Sequence, residues 1–175
     1  MTSVLNDPDP EATSQVRVQQ LSAGDISTLH DLLTVFGDAF GEPDTYGDAR
    51  PGRAYLERLL GRDSFIALAA LKGAKVVGGL AAYELHKFEQ ERSEIYIYDL
   101  AVAEAHRREG IATLLIKRLK TIAAQRGAYV IYVQADLGDT PAIELYSKLG
   151  VREDVLHFDI AVPLGTASAS AECKT

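Results

Sequence analysis

The stretch Ser93-Glu94-Ile95-Tyr96-Ile97-Tyr98-Asp99-Leu100-Ala101-Val102-Ala103-Glu104-Ala105-His106-Arg107-Arg108-Glu109-Gly110-Ile111-Ala112 decides the fold. Its first half is rich in β-branched and aromatic residues and apolar enough for a central strand. Its second half is a basic, glycine-containing turn. Beyond it Ile111, Leu115, Leu119 and Ile122 recur at helical spacing, with Lys117, Lys120 and Thr121 elsewhere, and Gly127 stops the helix. Residues 129–134 then read as a second apolar strand. A strand, helix, strand passage of this length is a crossover unit, so the two strands are expected to be parallel. The helix start aims unpaired backbone N–H groups and the positive end of the dipole at the turn. Gly110 permits close backbone approach and Ala112 is small. Arg107 and Arg108 add positive charge. The segment therefore suits an anion, most naturally a pyrophosphate, although an ordinary βα turn with surface arginines has the same residues. Neither Gly-x-Gly-x-x-Gly nor Gly-Lys-Ser/Thr occurs, which excludes the dinucleotide and Walker fingerprints.

Working outward, residues 16–21 suit a short strand. Ser22 and Asp25 have capping-box spacing, and Ile26, Leu29, Leu33, Phe36 and Phe40 follow at helical intervals, with Gly37 and Gly41 punctuating the end. A short helix over 52–60 closes at Gly61. Residues 65–70 and 76–83 read as antiparallel strands around Gly73, and Gly78-Gly79 signals a bulge or a close backbone approach. Thr140 as N-cap with Pro141 opens another helix, ended by Gly150. Residues 155–162 read as a last strand. The order is strand, two helices, three strands, helix, strand, helix, strand. The class is α/β, with a mixed sheet.

The chain has 175 residues, enough for one domain with a core that needs no metal or disulfide staple. The expected organisation is a loose N-terminal segment (1–14), one domain (15–162) and a flexible tail (163–175). The single cysteine, Cys173, rules out a disulfide framework and a Cys-rich zinc site. His30, His86, His106 and His157 share no metal-ligand spacing, so no metal is expected. A formal charge of -7 argues against nucleic acid, whose phosphates need a basic face, and suits a cationic partner. No secretory signal opens the chain, and the apolar run at 65–71 is too short to span a bilayer. A lone cysteine fits a reducing compartment, so the protein is expected in the cytoplasm, without a membrane partner.

Arg107-Arg108-Glu109-Gly110-Ile111-Ala112 matches the pattern Arg/Gln-x-x-Gly-x-Gly/Ala, and the chain resembles the GNAT N-acetyltransferase superfamily in this turn. A second motif, Ala142-Ile143-Glu144-Leu145-Tyr146-Ser147-Lys148-Leu149-Gly150-Val151, is similar to Ala-x-x-Leu-Tyr-x-Lys-Leu-Gly-Phe of the same family, with Val151 where an aromatic is usual. The resemblance covers residues 16–162. It implies a mostly antiparallel sheet with a parallel strand pair at the coenzyme A cleft, and helices on both faces. It implies acetyl-CoA as cosubstrate, its pyrophosphate on Arg107, Arg108, Gly110, Ile111, Ala112 and Thr113. Its pantetheine arm would lie along Leu100, Ala101 and Val102, where the strand ends in a bulge. Residues 93–102, 65–70, 127–136 and 157–160 further resemble the type I aminoglycoside 3-N-acetyltransferases. That resemblance implies acetylation of the 3-amino group of 2-deoxystreptamine antibiotics, antibiotic resistance as the outcome, and a homodimer.

Acetyl transfer to an amine needs the amine deprotonated, held in reach of the carbonyl, and an oxyanion donor; the leaving thiolate needs a proton. Asp99 is the candidate base and amine anchor, because an aspartate in an apolar strand must find a partner or shift its pKa. It is equally able to cap a loop or pair with an arginine. Tyr146 is the candidate general acid, or else a core tyrosine. Backbone N–H groups near Leu100 or Val102 are the candidate oxyanion donors. From 134 to 160 six acids face only Lys148 and Arg152. Of these Asp136, Asp139, Glu153 and Asp154 are the candidates for holding a polycationic small molecule, with Glu84 and Glu94 behind them. Tyr46 and Tyr55 belong either to a helical flap over the substrate or to the core. Two other readings stay open. One is the same fold acting on a protein N-terminus, a lysine or a small polyamine; the other is a coenzyme A binder without catalysis.

Overall fold

A computed structural model of the chain describes residues 15–48 and 50–162. The expected N-terminal segment, the tail and Cys173 lie outside these residues. The chain divides into two compact units, one up to residue 136 and one from 137 on.

The first unit holds a five-stranded sheet in the order β1-β2-β3-β4-β5. Its strands are β1 (Val16–Gln20), β2 (Phe65–Lys72), β3 (Lys75–His86), β4 (Ser93–Val102) and β5 (Ala128–Val133). The first four pair antiparallel and β4 pairs parallel with β5, as the crossover through α3 (Ile111–Arg126) requires. Helices α1 (Ile26–Phe40) and α2 (Arg53–Leu60) cover one face. There Leu29, Leu32, Phe36 and Leu56 bury against Ala67, Ala69 and Ala101. The alternate strand residues Ile66, Leu68, Ala70, Leu80, Ala82, Ile95 and Ile97 point the other way. They are buried with Leu115, Leu119 and Ile122 of α3.

Small residues set the spacing of the first layer. A Cβ on Gly79 would run into the Leu68 carbonyl and the Leu32 side chain, and one on Gly78 would lie 2.9 Å from the Ala101 carbonyl oxygen. The paired glycines thus mark a close approach, next to a register shift between Ala70 and Leu71 on β2. Gly37 does not end α1; the helix runs through it to Phe40 and closes on Gly41, whose φ of 69° is left-handed. Gly37 serves packing instead, since a Cβ there would come within 3.2 Å of Tyr46 Cβ. Ser22 and Asp25 form a turn ahead of α1 in which Asp25 Oδ2 accepts from the Ser22 N–H at 2.8 Å and the Ser22 hydroxyl at 2.7 Å.

On the opposite face Glu84 is buried. It accepts from the Ser93 hydroxyl at 2.6 Å and from Arg126 at 2.7 Å, so this candidate acid is bound into the sheet. Arg126 also donates to the Asp63 carbonyl, tying the end of α3 to the turn before β2.

The second unit holds α4 (Thr140–Ser147). Its N-cap is Asp139, not Thr140: Asp139 Oδ1 accepts from the Ala142 N–H at 3.1 Å, and Pro141 sits in the first turn. Residues 151–162 carry no regular secondary structure, so the expected strand over 155–162 is absent. Val155, Leu156, Phe158, Ile160 and Val162 are exposed. Strand propensity is realised only against a neighbouring strand, and among the described residues this segment has none.

Candidate active site

The site begins with an irregularity in β4. Cross-strand pairing runs Ile97↔Ala82 and then Asp99↔Ala81, so Tyr98 is the extra residue of a bulge. Ile95 and Ile97 face α3, and strict alternation would send Asp99 after them into that core. The bulge reverses the alternation. Asp99 instead shares the α1 side with its partner Ala81, and with Tyr96 and Tyr98 along its own strand.

There Asp99 meets a side chain delivered from far away in sequence. A turn of π-helix, Asp44–Asp48, follows α1, and the space left by Gly37 lets Tyr46 pack against that helix. Its ring contacts Phe36 and Phe40, with centroids 6.0 and 5.6 Å apart. Its hydroxyl donates to Asp99 Oδ1 at 3.2 Å. Burial pushes the Asp99 carboxyl above the usual aspartate range; the Tyr46 hydrogen bond opposes this and the charge of Glu42 adds to it. Burial, with the charge of Asp99 and the bond to it, pushes the Tyr46 phenol up, so it remains a protonated donor. Tyr55 is exposed.

Past Asp99 the strand loses a neighbour. Pairing with β5 ends at Ile97↔Val133, whereas β4 continues to Val102. Leu100, Ala101 and Val102 stay paired to β3 through Leu80, Gly79 and Gly78, and among the described residues their strand's other edge has no sheet partner. A 3₁₀ turn, Glu104–His106, then leads to the basic turn. Arg108 and Gly110 both adopt left-handed backbone, at φ 70° and 80°. For Arg108 this is an uncommon conformation with a steric cost, of the sort that persists where surroundings impose it. Gly110 is the N-cap of α3 and offers no side chain to the helix, so the first helical bond is Leu114 N–H to the Gly110 carbonyl at 3.0 Å. Ile111, Ala112 and Thr113 thus begin a helix whose end is capped by no side chain. Arg107 and Arg108 are exposed, and Arg107 Nε donates to the Val102 carbonyl at 3.3 Å. Glu109, which would oppose an anion, pairs with Lys72 at 3.3 Å and with His106 at 3.2 Å. This donor set fits a pyrophosphate such as that of coenzyme A, since one turn carries uncapped N–H groups, left-handed residues at 108 and 110, and two exposed arginines.

The remaining candidates stand as follows. Asp136 is exposed just after β5. In the second unit Asp139 is committed as an N-cap, Asp154 pairs with Arg152 at 2.6 Å, and Glu153 is exposed. Tyr146 lies on α4, partly buried, with its phenol pushed up by burial and the charge of Asp139. Glu94 accepts from the Tyr129 hydroxyl at 3.0 Å. No group of three or more His, Cys, Asp or Glu among the described residues is arranged to hold a metal ion, and no described helix is long and apolar enough to cross a membrane. The sequence left Tyr46 undecided, and did not show that the charge of Glu42 acts on Asp99 or that Tyr83, Tyr96 and Tyr132 share one face with it. The alternating tyrosines at 96 and 98 were a visible signal, but alternation alone does not say which face is covered.

Comparison with known proteins bears on the family and the fold. An aminoglycoside acetyltransferase, HMB0005, from an uncultured soil metagenomic sample is 63% identical, with a TM-score of 0.84 over 85% of this chain and 99% of that one. Another from such a sample, meta-AAC0020, solved in complex with sisomicin, is 29% identical, with a TM-score of 0.78 over 85% and 97% of the two chains. Streptothricin acetyltransferase of Streptomyces lavendulae is 30% identical over 91 residues, 52% of this chain and 47% of that one. The chain spans about half the length of the curated relatives it matches. The family model described as "Acetyltransferase (GNAT) family" matches residues 29–151, more than half of the chain, and the protein belongs to that family.

Proposed function

We propose that the protein is an acetyl-CoA-dependent aminoglycoside N-acetyltransferase acting on the 3-amino group of 2-deoxystreptamine antibiotics, and so confers resistance to them. The observation that carries this reading is the β4 bulge, which turns Asp99 away from α3 to the α1 side of the sheet, next to the edge of the same strand that β5 leaves unpaired. The identity of 63% to a solved aminoglycoside acetyltransferase and the sisomicin complex of a second one support the acceptor class. The 3-amino position rests on the sequence resemblance.

In this reading Arg107, Arg108, Gly110 and the N–H groups of Ile111, Ala112 and Thr113 hold the pyrophosphate, and the edge of Leu100–Val102 holds the pantetheine arm. Acetyl-CoA, when bound, supplies an activated acyl thioester. Asp99 anchors the acceptor ammonium and takes its proton. Its raised pKa brings it nearer to neutrality, where a base both stays ionised and retains driving force. Tyr46 holds the carboxylate in one orientation. N–H groups near Leu100 or Val102 are the proposed donors to the developing negative oxygen. Tyr146, kept protonated by its surroundings, is the proposed proton donor. Asp136, Asp139, Glu153 and Asp154 are proposed to attract the polycation, with Asp139 dividing its carboxylate between substrate and helix cap. The same resemblance carries a homodimer, which light scattering on the full chain tests, and the lone cysteine suits a cytoplasmic setting.

Release of free thiol from acetyl-CoA with gentamicin, against kanamycin and spermidine, tests the function. Saturable turnover of gentamicin well above spermidine is expected. Asp99→Asn should lower kcat by about 10²- to 10⁴-fold while coenzyme A affinity holds. Turnover of spermidine or a peptide amine in preference to every antibiotic would move the acceptor elsewhere.

A further inference from the structure

The α1 side of the sheet carries, on β3, β4 and β5, a row of tyrosines that the chemistry above does not use. Tyr83 on β3, Tyr96 on β4 and Tyr132 on β5 are direct cross-strand partners, so they share one face. Tyr98, the bulge residue, stands next to them. Tyr96 and Tyr132 stack at 4.9 Å with planes 17° apart. Tyr98 meets Tyr96 and Tyr83 edge-on, both at 5.9 Å. The row crosses three strands, about 10 Å at ordinary strand spacing, which is long enough for linked sugar rings. It is also accessible: Tyr98 is 61% exposed and Tyr132 37%.

The row is held rather than loose. The Tyr96 hydroxyl donates to Gln134 Oε1 at 2.9 Å, and Tyr83 packs on Phe65 at 5.2 Å. Acids flank it. Asp99 follows Tyr98 directly, with the charge of Glu42 acting on it, and Glu94, which precedes Tyr96 on the same face, balances Lys87 at 3.8 Å. Aromatic faces attract ammonium groups, and flat rings receive the apolar face of a sugar. A neutral apolar partner would find carboxylates at its rim, and an anion would be repelled. The complementary ligand is a polycationic amino sugar.

We propose that Tyr83, Tyr96, Tyr98 and Tyr132 form an acceptor subsite that takes a second, ammonium-bearing ring of the substrate while Asp99 engages the reacting amine. The inference rests on the acceptor class proposed above and adds to it a preference for multi-ring over single-ring amines.

Kinetics with gentamicin and with free 2-deoxystreptamine test it, on wild type and on Tyr98→Leu/Tyr132→Leu. The chain contains no tryptophan, so tyrosine emission reports gentamicin binding independently of turnover. In the double variant KM for gentamicin should rise about five- to thirtyfold, each exposed ring being worth about 0.5–1 kcal/mol. kcat should stay within about twofold, and kcat/KM for 2-deoxystreptamine should not change. Tyr98→Phe/Tyr132→Phe, which keeps both rings, should restore wild-type KM. If wild type turns over no aminoglycoside, the acceptor class and the subsite fall together. With wild-type turnover intact, an unchanged gentamicin KM, or an equal loss with both acceptors, overturns the subsite alone.

Discussion

Replacing Tyr46 by Phe removes one oxygen and leaves the aromatic cluster with Phe36 and Phe40 in place, so the fold should survive. What disappears is the hydroxyl donated to Asp99 at 3.2 Å. A hydrogen bond to a charged group is worth about 1.5–3 kcal/mol, and a bond at the long end of the distance range belongs at the low end, about 1.5 kcal/mol. The bond favours the carboxylate over the acid, so it holds down a pKa that burial and Glu42 push up. At about 1.4 kcal/mol per pKa unit, its loss should raise the Asp99 pKa by about one unit. In the pH profile of kcat/KM with gentamicin, the acid limb should move up by about one pH unit, while the rate on the high-pH plateau stays within about threefold of wild type. The ionisation of the acceptor amine is the same for both enzymes and cancels in the comparison. An acid limb that stays where wild type has it would refute the role given to Tyr46, and with it the assignment of that limb to Asp99.

Gly110→Val places a β-branched residue at φ 80° where no neighbour lies within 4 Å, so the penalty is conformational and local to the turn. Calorimetry should show the dissociation constant of coenzyme A rising about five- to thirtyfold if the turn relaxes to escape a strain of about 1–2 kcal/mol. Gly79→Ala should destabilise by about 3 kcal/mol or more, because its methyl meets the Leu68 backbone as well as the movable Leu32 side chain; urea unfolding measures it. Glu84→Gln breaks a buried pair and should cost about 3 kcal/mol, the low end for such a loss because Arg126 keeps some contact with solvent. Burial raises the Glu84 pKa, but the bonds from Ser93 and Arg126 outweigh it and the net shift is downward. The stabilisation by Glu84 is therefore present above the ordinary carboxylate range and lost as pH falls through the lowered folded value. Thermal unfolding of wild type should lose stability in that window relative to Glu84→Gln, narrowing the gap.

Much of the molecule was legible from local chemistry. Glycine at 110, arginines before it and an apolar helix after it define the turn proposed to hold an anion, because each residue acts through its own backbone or its own charge. The crossover between β4 and β5 follows from segment lengths, and the β2–β3 pair from its turn. The proposed site was legible only in its parts. Asp99 stands out as a carboxylate in an apolar strand, yet alternation alone would bury it against α3. Register is a property of two strands, and the bulge that turns Asp99 to the other face exists only in the pairing of β4 with β3. Likewise Gly37 reads as a helix stop until Tyr46 is seen to need its space, a contact made by chain folding back. Asp139 reads as a free acid until the start of α4 shows it capping, and residues 155–162 read as a strand that finds no neighbour to pair with. Turns are decided within a few residues, so the sequence by itself determined the basic turn at residues 107–112 and the order of strands and helices as far as α4. Which face a residue presents, and what it meets there, depends on partners distant in the chain, and only the tertiary structure decided those.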